Sequence, residues 1–220
     1  MHNELKYTVT FPTIWRSEYT MGMLKKYSEC PHVEEIILID NAPEQNKIIN
    51  IDKVKHIREE SNTYAIPGVN KGVAMAVCDN VIISSDDIEF DVNVYCNILN
   101  EINKTYKLNT LGYIGSHSHN YEISELENPI LDRYNPAENI TGWGCLVTIN
   151  KEFWTPIPSQ LKIWYGDNWL QAVHQNKIFQ LKGIPIKTKM STTSSSPEFT
   201  KIIEDDTREW HKILNQWRNQ

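Results

Sequence analysis

The chain has 220 residues, 40% of them hydrophobic, with 7 Trp and 10 Tyr, enough for one large core or one domain with a subdomain. Its 28 acidic and 22 basic residues leave a net charge of −6 and a pI of about 5.7. That balance argues against a dedicated nucleic-acid binder, whose affinity comes largely from Lys and Arg neutralising phosphate. No apolar run approaches the ~18 residues of a membrane span. No basic-then-apolar leader opens the chain, and Cys30, Cys78, Cys96 and Cys145 lack metal-binding spacing. A soluble cytoplasmic protein with reduced, buried thiols is the expectation.

Residues 6–11 form a first predicted strand, stopped by Pro12. Residues 18–27, with Met21, Met23, Leu24 and Tyr27, form a helix that ends before Pro31. Residues 35–40 are a continuous apolar run too short for a helix, hence a buried strand, and Asn41-Ala42-Pro43 breaks it. Residues 54–57 give a short third strand, residues 68–78 a helix, and residues 81–85 a fourth strand. Asp91 is placed to cap the next helix, where Val92, Tyr95, Leu99, Ile102 and Tyr106 fall on one stripe. Strands alternating with helices predict an α/β fold with a mostly parallel central sheet covered on both faces.

In the second half, residues 111–115 form a fifth strand and residues 117–139 a long polar loop. Strand character returns over 140–149. Residues 167–174 form a helix, and residues 179–181 and 184–186 short strands around Gly183. The last helix opens near Ser196-Pro197-Glu198, with Ile203, Trp210, Leu214 and Trp217 along one face.

The chemistry concentrates where the fourth strand ends. An apolar run, Val81-Ile82-Ile83, gives way to Ser84-Ser85-Asp86-Asp87, with Glu89 and Asp91 just beyond. Crowded carboxylates raise each other's pKa unless a cation sits among them, and a hard divalent ion with oxygen ligands answers that need. In an open α/β sheet, ligands bind in the crevice outside the carboxyl ends of the strands. A metal there could clamp a diphosphate. Glu89 is either an additional ligand or a solvated loop acid. His117 and His119, a His-x-His pair, are either surface or acceptor-loop histidines or a metal pair.

Together these segments resemble the GT-A type glycosyltransferases, in particular small family-2-like members of phage and bacterial type. The resemblance is carried by Val9-Thr10-Phe11-Pro12-Thr13, Ile37-Leu38-Ile39-Asp40-Asn41, Asn70-Lys71-Gly72-Val73-Ala74 and Ser85-Asp86-Asp87. Thr141-Gly142-Trp143-Gly144 and Tyr165-Gly166-Asp167-Asn168 are similar to acceptor-side segments. The resemblance implies one continuous, Rossmann-like GT-A domain, with a nucleotide-sugar donor half over 1–110 and an acceptor half with the C-terminal helix over 111–220. It implies Mn²⁺ or Mg²⁺ held by Asp87, with Asp86 sharing the ion or contacting the donor ribose.

Further roles follow from it. Pro12, Thr13, Ser85 and Arg16 would face the donor, Arg16 at a phosphate, unless it is a helix-surface residue. Asp40 and Asn41 would read the nucleoside, or simply form a turn. Asn70 and Gly72 would open a helix near the diphosphate, or Asn70 would cap it. Gly142, Trp143, Gly144 and Trp164 would take the acceptor, although core packing is the plainer role of a Trp. Asp167 would remove the acceptor's proton, or cap its helix. The polar run 188–196 lacks the family's metal-binding His. That leaves Lys189 beside phosphate, His211 reaching back, or a linker. The implied reaction moves a sugar from a nucleotide diphosphate to a hydroxyl, with inversion, on a bacterial glycan, a lipid-linked sugar or a modified base of phage DNA. Basic patches at Lys25-Lys26 and over 182–189 would serve the last of these. The alternatives are a nucleotidyltransferase and a non-catalytic nucleotide- or carbohydrate-binding protein.

Overall fold

The computed structural model describes residues 4–116, 128–135, 143–188 and 196–218. In chain order the strands and α-helices are β1 (Tyr7–Thr13), α1 (Thr20–Glu29), β2 (Val33–Asp40), β3 (Val54–Arg58), α2 (Ala65–Met75), β4 (Asn80–Ser84), β5 (Ile88–Glu89), α3 (Val92–Tyr106), β6 (Tyr113–Ser116), β7 (Ile130–Arg133), β8 (Leu146–Asn150), α4 (Gly166–Val173), β9 (Ile178–Lys182), β10 (Lys187–Thr188) and α5 (Thr200–Arg218). Eight strands form one sheet in the order β3-β2-β1-β4-β8-β6-β9-β7, while β5 and β10 make a separate antiparallel pair. β3, β2, β1 and β4 run parallel. β8 is antiparallel to both its neighbours, β6 and β9 are parallel, and β7 closes the edge antiparallel. The α/β, mostly parallel arrangement expected from the alternation is the one found.

The continuous apolar runs are split between two cores by the two-residue period of a strand. Ile36, Leu38 and Ile82 join Tyr7, Val9 and Phe11 on the face covered by α1 and α3. Ile37, Ile39, Val81 and Ile83 face the opposite way, against Ile66 and Val73 of α2 and Leu170 of α4. Trp210 and Ile213 bring α5 onto that second face. Asp91 caps α3 as expected, accepting from the N–H of Val94 at 2.9 Å. The stripe of α3 is buried as far as Ile102, but Tyr106 at its end is 54% exposed. None of the four cysteines forms a disulfide. No helix among the described residues is long and apolar enough to cross a membrane.

Several expected boundaries move, each for a physical reason. β1 runs through Pro12 to Thr13, because β4 pairs with β1 only as far as Thr10. Beyond that point β1 has a single neighbour, so the N–H that proline lacks is not required. α2 starts at Ala65 rather than 68, with Pro67 in its first turn, where backbone N–H groups have no intrahelical partner anyway. Gly72 therefore lies deep in α2, where a Cβ would fall 1.8 Å from Thr10 Oγ1. Its role is to let the helix lie against β1. Of the strand expected over 140–149, residues 140–142 lie outside the described residues, Trp143–Cys145 form a 3₁₀ turn, and β8 follows. Ile184 and Ile186 are buried in the core without joining a ladder, and the short strand follows them as β10. The expected loop over 117–139 contains β7.

The chain order of the sheet reverses between β1 and β4. From β1 it steps outward to β2 and β3, then returns to place β4 on the other side of β1. The crevice outside the carboxyl ends of β1 and β4 is thus the topological switch point, where ligands bind in such sheets.

Candidate active site

A cavity of about 520 Å³ opens at that switch point. Thr13 and Ile14 leave β1 into it. Ser84 ends β4, and Ser85, Asp86 and Asp87 form the turn beyond. Gly144 and Cys145 precede β8, and Trp164, Tyr165, Gly166 and Asp167 lead into α4. Tyr64 and Ile66 close the side nearest α2. Tyr64, Tyr165 and the adjacent Trp15 all have left-handed backbones, with φ of 71°, 67° and 62°. Such conformations are costly for aromatic residues and gather at functional sites.

Asp86 Oδ2 accepts a 2.5 Å hydrogen bond from Thr13 Oγ1, which in turn accepts from the N–H of Trp15 at 2.8 Å. Burial pushes the Asp86 carboxyl up to about 6, and the charge of Asp87 adds to the rise against the opposing bond from Thr13. Burial also raises Asp87 and Asp167. The thiol of Cys145 is pushed up to about 12 by burial, with further rises from the charges of Asp87 and then Asp167. The Cys145 carbonyl accepts from Ser85 N–H at 2.8 Å, tying the segment before β8 to the acidic turn. Gly144 permits the close approach of Asp167, whose Cβ would lie 3.1 Å from a Cβ added at Gly144.

No Lys, Arg or His lines the cavity among the described residues. Three carboxylates with raised pKa therefore face it with no cationic side chain between them. The paired oxygens of Asp86 and Asp87 suit a hard divalent cation. No group of three or more His, Cys, Asp or Glu gathers to hold a metal among the described residues. Asp86 and Asp87 are therefore the two side chains at this corner that could hold such an ion.

Other expected site residues stand elsewhere. Asp40 is fully buried and lies outside the cavity lining. Its Oδ1 accepts from Trp15 Nε1 at 2.8 Å and Ala42 N–H at 3.0 Å, and its Oδ2 meets His56 Nε2 at 2.9 Å and Arg58 Nε at 3.6 Å. Asn41 does line the cavity, and its side chain braces residues 63 and 64: Oδ1 accepts from Thr63 N–H and Oγ1, and Nδ2 donates to the Tyr64 carbonyl. Asn70, midway along α2, clasps both backbone groups of Ile157, at 2.7 and 3.0 Å. Arg16 binds Ser196 and Glu198 and lies over the Phe199 ring, joining the end of β1 to the start of the last helix. Glu89 pairs with Lys26 and Lys187, away from the cavity, and Lys26 lowers its pKa.

Pro12, Thr13, Ser85, Asp86, Asp87, Gly144, Trp164 and Asp167 are brought together. Asp167 is the second residue of α4, within its first turn rather than at its cap, and its Oδ1 accepts from Asn168 N–H. His211 is exposed on α5 and absent from the lining. Lys189, Gly142, His117, His119 and the side chain of Trp143 lie outside the described residues.

One residue that sequence reasoning missed also shapes the wall. Asp206 of α5 is fully buried and binds the backbone of residues 162–164. Its only sequence signal is an acid on the apolar face of an amphipathic helix, four residues before Trp210.

Compared with known proteins, the sequence matches no protein-family model and no curated protein. The fold does match solved structures. TarS 1-349 of S. aureus superposes with a TM-score of 0.58 at 11% identity, over 92% of this chain and 71% of that one. The same protein in complex with UDP gives 0.58 at 13%, over 93% and 65%. GalNAc-T7 with UDP, GalNAc and Mn²⁺ gives 0.57 at 18%, over 93% and 48%. The chain thus spans between about half and seven-tenths of these structures. The likeness shows a GT-A glycosyltransferase fold.

Proposed function

We propose that this GT-A chain is a divalent-metal-dependent glycosyltransferase that moves a sugar from a nucleotide diphosphate to an acceptor hydroxyl with inversion. One observation carries the reading: three carboxylates with raised pKa face a single cavity at the switch point, and no basic side chain lines it among the described residues. Such a cavity repels a diphosphate unless a cation accompanies it. UDP in one similar structure, and UDP with Mn²⁺ in another, lend support.

Asp86 and Asp87 would hold Mn²⁺ or Mg²⁺, which when bound neutralises the charge that gathers on a departing diphosphate. Thr13 fixes Asp86, and both Asp86 and Asp87 line the cavity. Asp167, which lines the same cavity, would act as general base. Burial raises its pKa, the direction that strengthens a carboxylate as a proton acceptor. An acceptor hydroxyl beside Asp167 loses its proton as its oxygen bonds to the anomeric carbon, while the bond from that carbon to the diphosphate oxygen breaks. No second carboxylate is assigned as a nucleophile, which favours single displacement. The aromatic walls, Tyr64, Trp164 and Tyr165, keep bulk water from the reacting carbon and offer faces for sugar rings. A bacterial glycan, a lipid-linked sugar or a modified DNA base would each present the required hydroxyl.

The deciding experiment is a thermal-shift screen of UDP-, GDP-, CDP- and dTDP-sugars with and without Mn²⁺, followed by turnover of the best donor. A true donor raises the melting temperature by mass action only when the metal is present. EDTA and Asp87→Ala should both remove the shift, and the variant should lose about three orders of magnitude in turnover. Metal-independent binding, or turnover that survives in Asp87→Ala, overturns the proposal.

A further inference from the structure

α5 carries a buried charge that the proposed chemistry does not use. Asp206 has no solvent exposure. Its Oδ2 accepts from the N–H groups of Lys162 at 3.1 Å, Ile163 at 2.8 Å and Trp164 at 2.9 Å, and its Oδ1 accepts from Lys162 N–H at 3.0 Å. Three consecutive amides converging on one anion make a nest, and charge-assisted bonds of this kind are about twice as strong as neutral ones. A carboxylate is otherwise costly to bury, so the bonds hold both partners in place.

The grip continues along the same helix face. Tyr165 OH donates to Thr207 Oγ1 at 2.9 Å, while Thr207 donates to the Ile203 carbonyl. The Tyr165 ring stacks on Trp210 at 5.8 Å with 7° between planes. Asp206, Thr207 and Trp210 thus hold four successive residues, 162–165. The last of them, Tyr165, has a left-handed backbone that turns the chain into α4. Asp167 lies two residues further on, and Gly166 and Asp167 both line the cavity. The donor corner, by contrast, is built on the ends of β1 and β4, and its link to this part of the chain is the exposed pair of Arg16 with Glu198, just ahead of α5.

We infer that Asp206 is a positioning residue: through the amides of residues 162–164 it sets where Trp164 and Asp167 stand, and so aligns the acceptor side of the site. The inference rests on Asp167 acting as proposed above, but its structural half can be tested without any substrate. Amide exchange read by mass spectrometry on the whole protein compares wild type with Asp206→Ala and Asp206→Asn. In the Ala variant exchange over 162–168 should rise about 100-fold, while β1 and β4 change less than about twofold. Turnover of the donor selected by the screen should fall about 100-fold, with the dissociation constant of UDP in Mn²⁺ altered less than about threefold.

Asp206→Asn keeps an oxygen for Ile163 and Trp164, and should restore turnover to within about fivefold of wild type. A general fold defect would instead lower nucleotide affinity, turnover and melting temperature together in both variants. Unchanged exchange over 162–168 in the Ala variant overturns the inference, as does nucleotide affinity falling in step with turnover. If the Ala variant fails to fold, the Asn variant is decisive: a rise in exchange confined to Lys162 and its neighbours supports the inference, and no rise overturns it. If wild type turns over no sugar nucleotide, the functional reading fails, and the exchange pattern still decides whether Asp206 holds the loop.

Discussion

The two walls of the cavity, assigned to donor and acceptor in the function proposed above, are built in different ways. The donor wall consists of strand ends: Thr13 closes β1, Ser84 closes β4, and the acids follow within three residues. Its geometry comes from the parallel ladder, whose register is fixed by the apolar residues buried on both faces. The acceptor wall has no such ladder. Residues 162–165 are held by side chains of α5 some forty positions later, and Gly144 makes room for Asp167. The first wall is rigid because of what it is made of, and the second because of what is tied to it. Metal and diphosphate chemistry needs fixed charge, which strands supply, whereas acceptor choice varies among enzymes of one fold and sits on loops.

The strongest test of this division is Asp167→Asn. The amide keeps the shape and the contact with Gly144 but cannot take a proton. Turnover should fall by about 10²–10⁴-fold, the range for loss of a general base, while nucleotide binding with Mn²⁺ stays within about twofold. Because burial already penalises the charged form of Asp167, folding stability should hold or rise in the variant. Steady-state rates beside calorimetric titration of the nucleotide separate the two effects. A variant that binds nucleotide much more weakly would mean that the walls do not act independently.

The donor wall makes a different demand, visible as pH dependence of stability. Asp86 has its pKa raised from the model-peptide value of 3.8 to about 6 in the fold. A raised carboxyl favours the folded state fully below about 3.8, and that contribution is lost as pH rises through about 6. The shift corresponds to roughly 3 kcal/mol. Urea unfolding of metal-free protein should show stability from this group declining between pH 4 and 7, and Asp86→Asn should flatten the decline. Mn²⁺ should oppose it in wild type by binding the ionised pair. A metal-free stability that is level across this range in wild type would remove the charge conflict on which the donor wall's need for a cation rests.

The same division explains what could be read in the sequence. The strands and the place of Asp86-Asp87 at the cavity were legible because an apolar run that ends in acids is a local signal within ten residues. Asp91 as a cap and the alternation of strand and helix are equally local. The start of α2 was not, since Pro67 looks like a breaker until its place in the first turn is known. Asp40 reads as a nucleoside contact or a turn at a strand end, yet Trp15, just past β1, and His56 and Arg58, both on β3, converge on it. Asn70 was expected near phosphate and instead clasps Ile157, eighty-seven positions away. Asp206 carried almost no signal, because a buried acid in an amphipathic helix is defined by backbone N–H groups that no side-chain pattern displays. The acceptor wall is harder to read for the reason that it is held from afar.

The smallest expected effect bears on where α5 is anchored. Its leading end also touches the donor wall, through Arg16 and Glu198. That pair is open to solvent, with side chains 38% and 55% exposed, so it is screened and costs side-chain freedom. Glu198→Gln leaves Arg16 bound to Ser196 and resting over the Phe199 ring. Stability should drop by no more than about 0.5 kcal/mol, turnover should stay within about twofold, and added salt should erase the difference. Urea unfolding at low and high salt, with rates on the same samples, checks this. If the loss instead matched that of Asp206→Ala, the anchor of α5 would lie at the exposed rim rather than in the buried nest. The acceptor wall would then be set from the donor side after all.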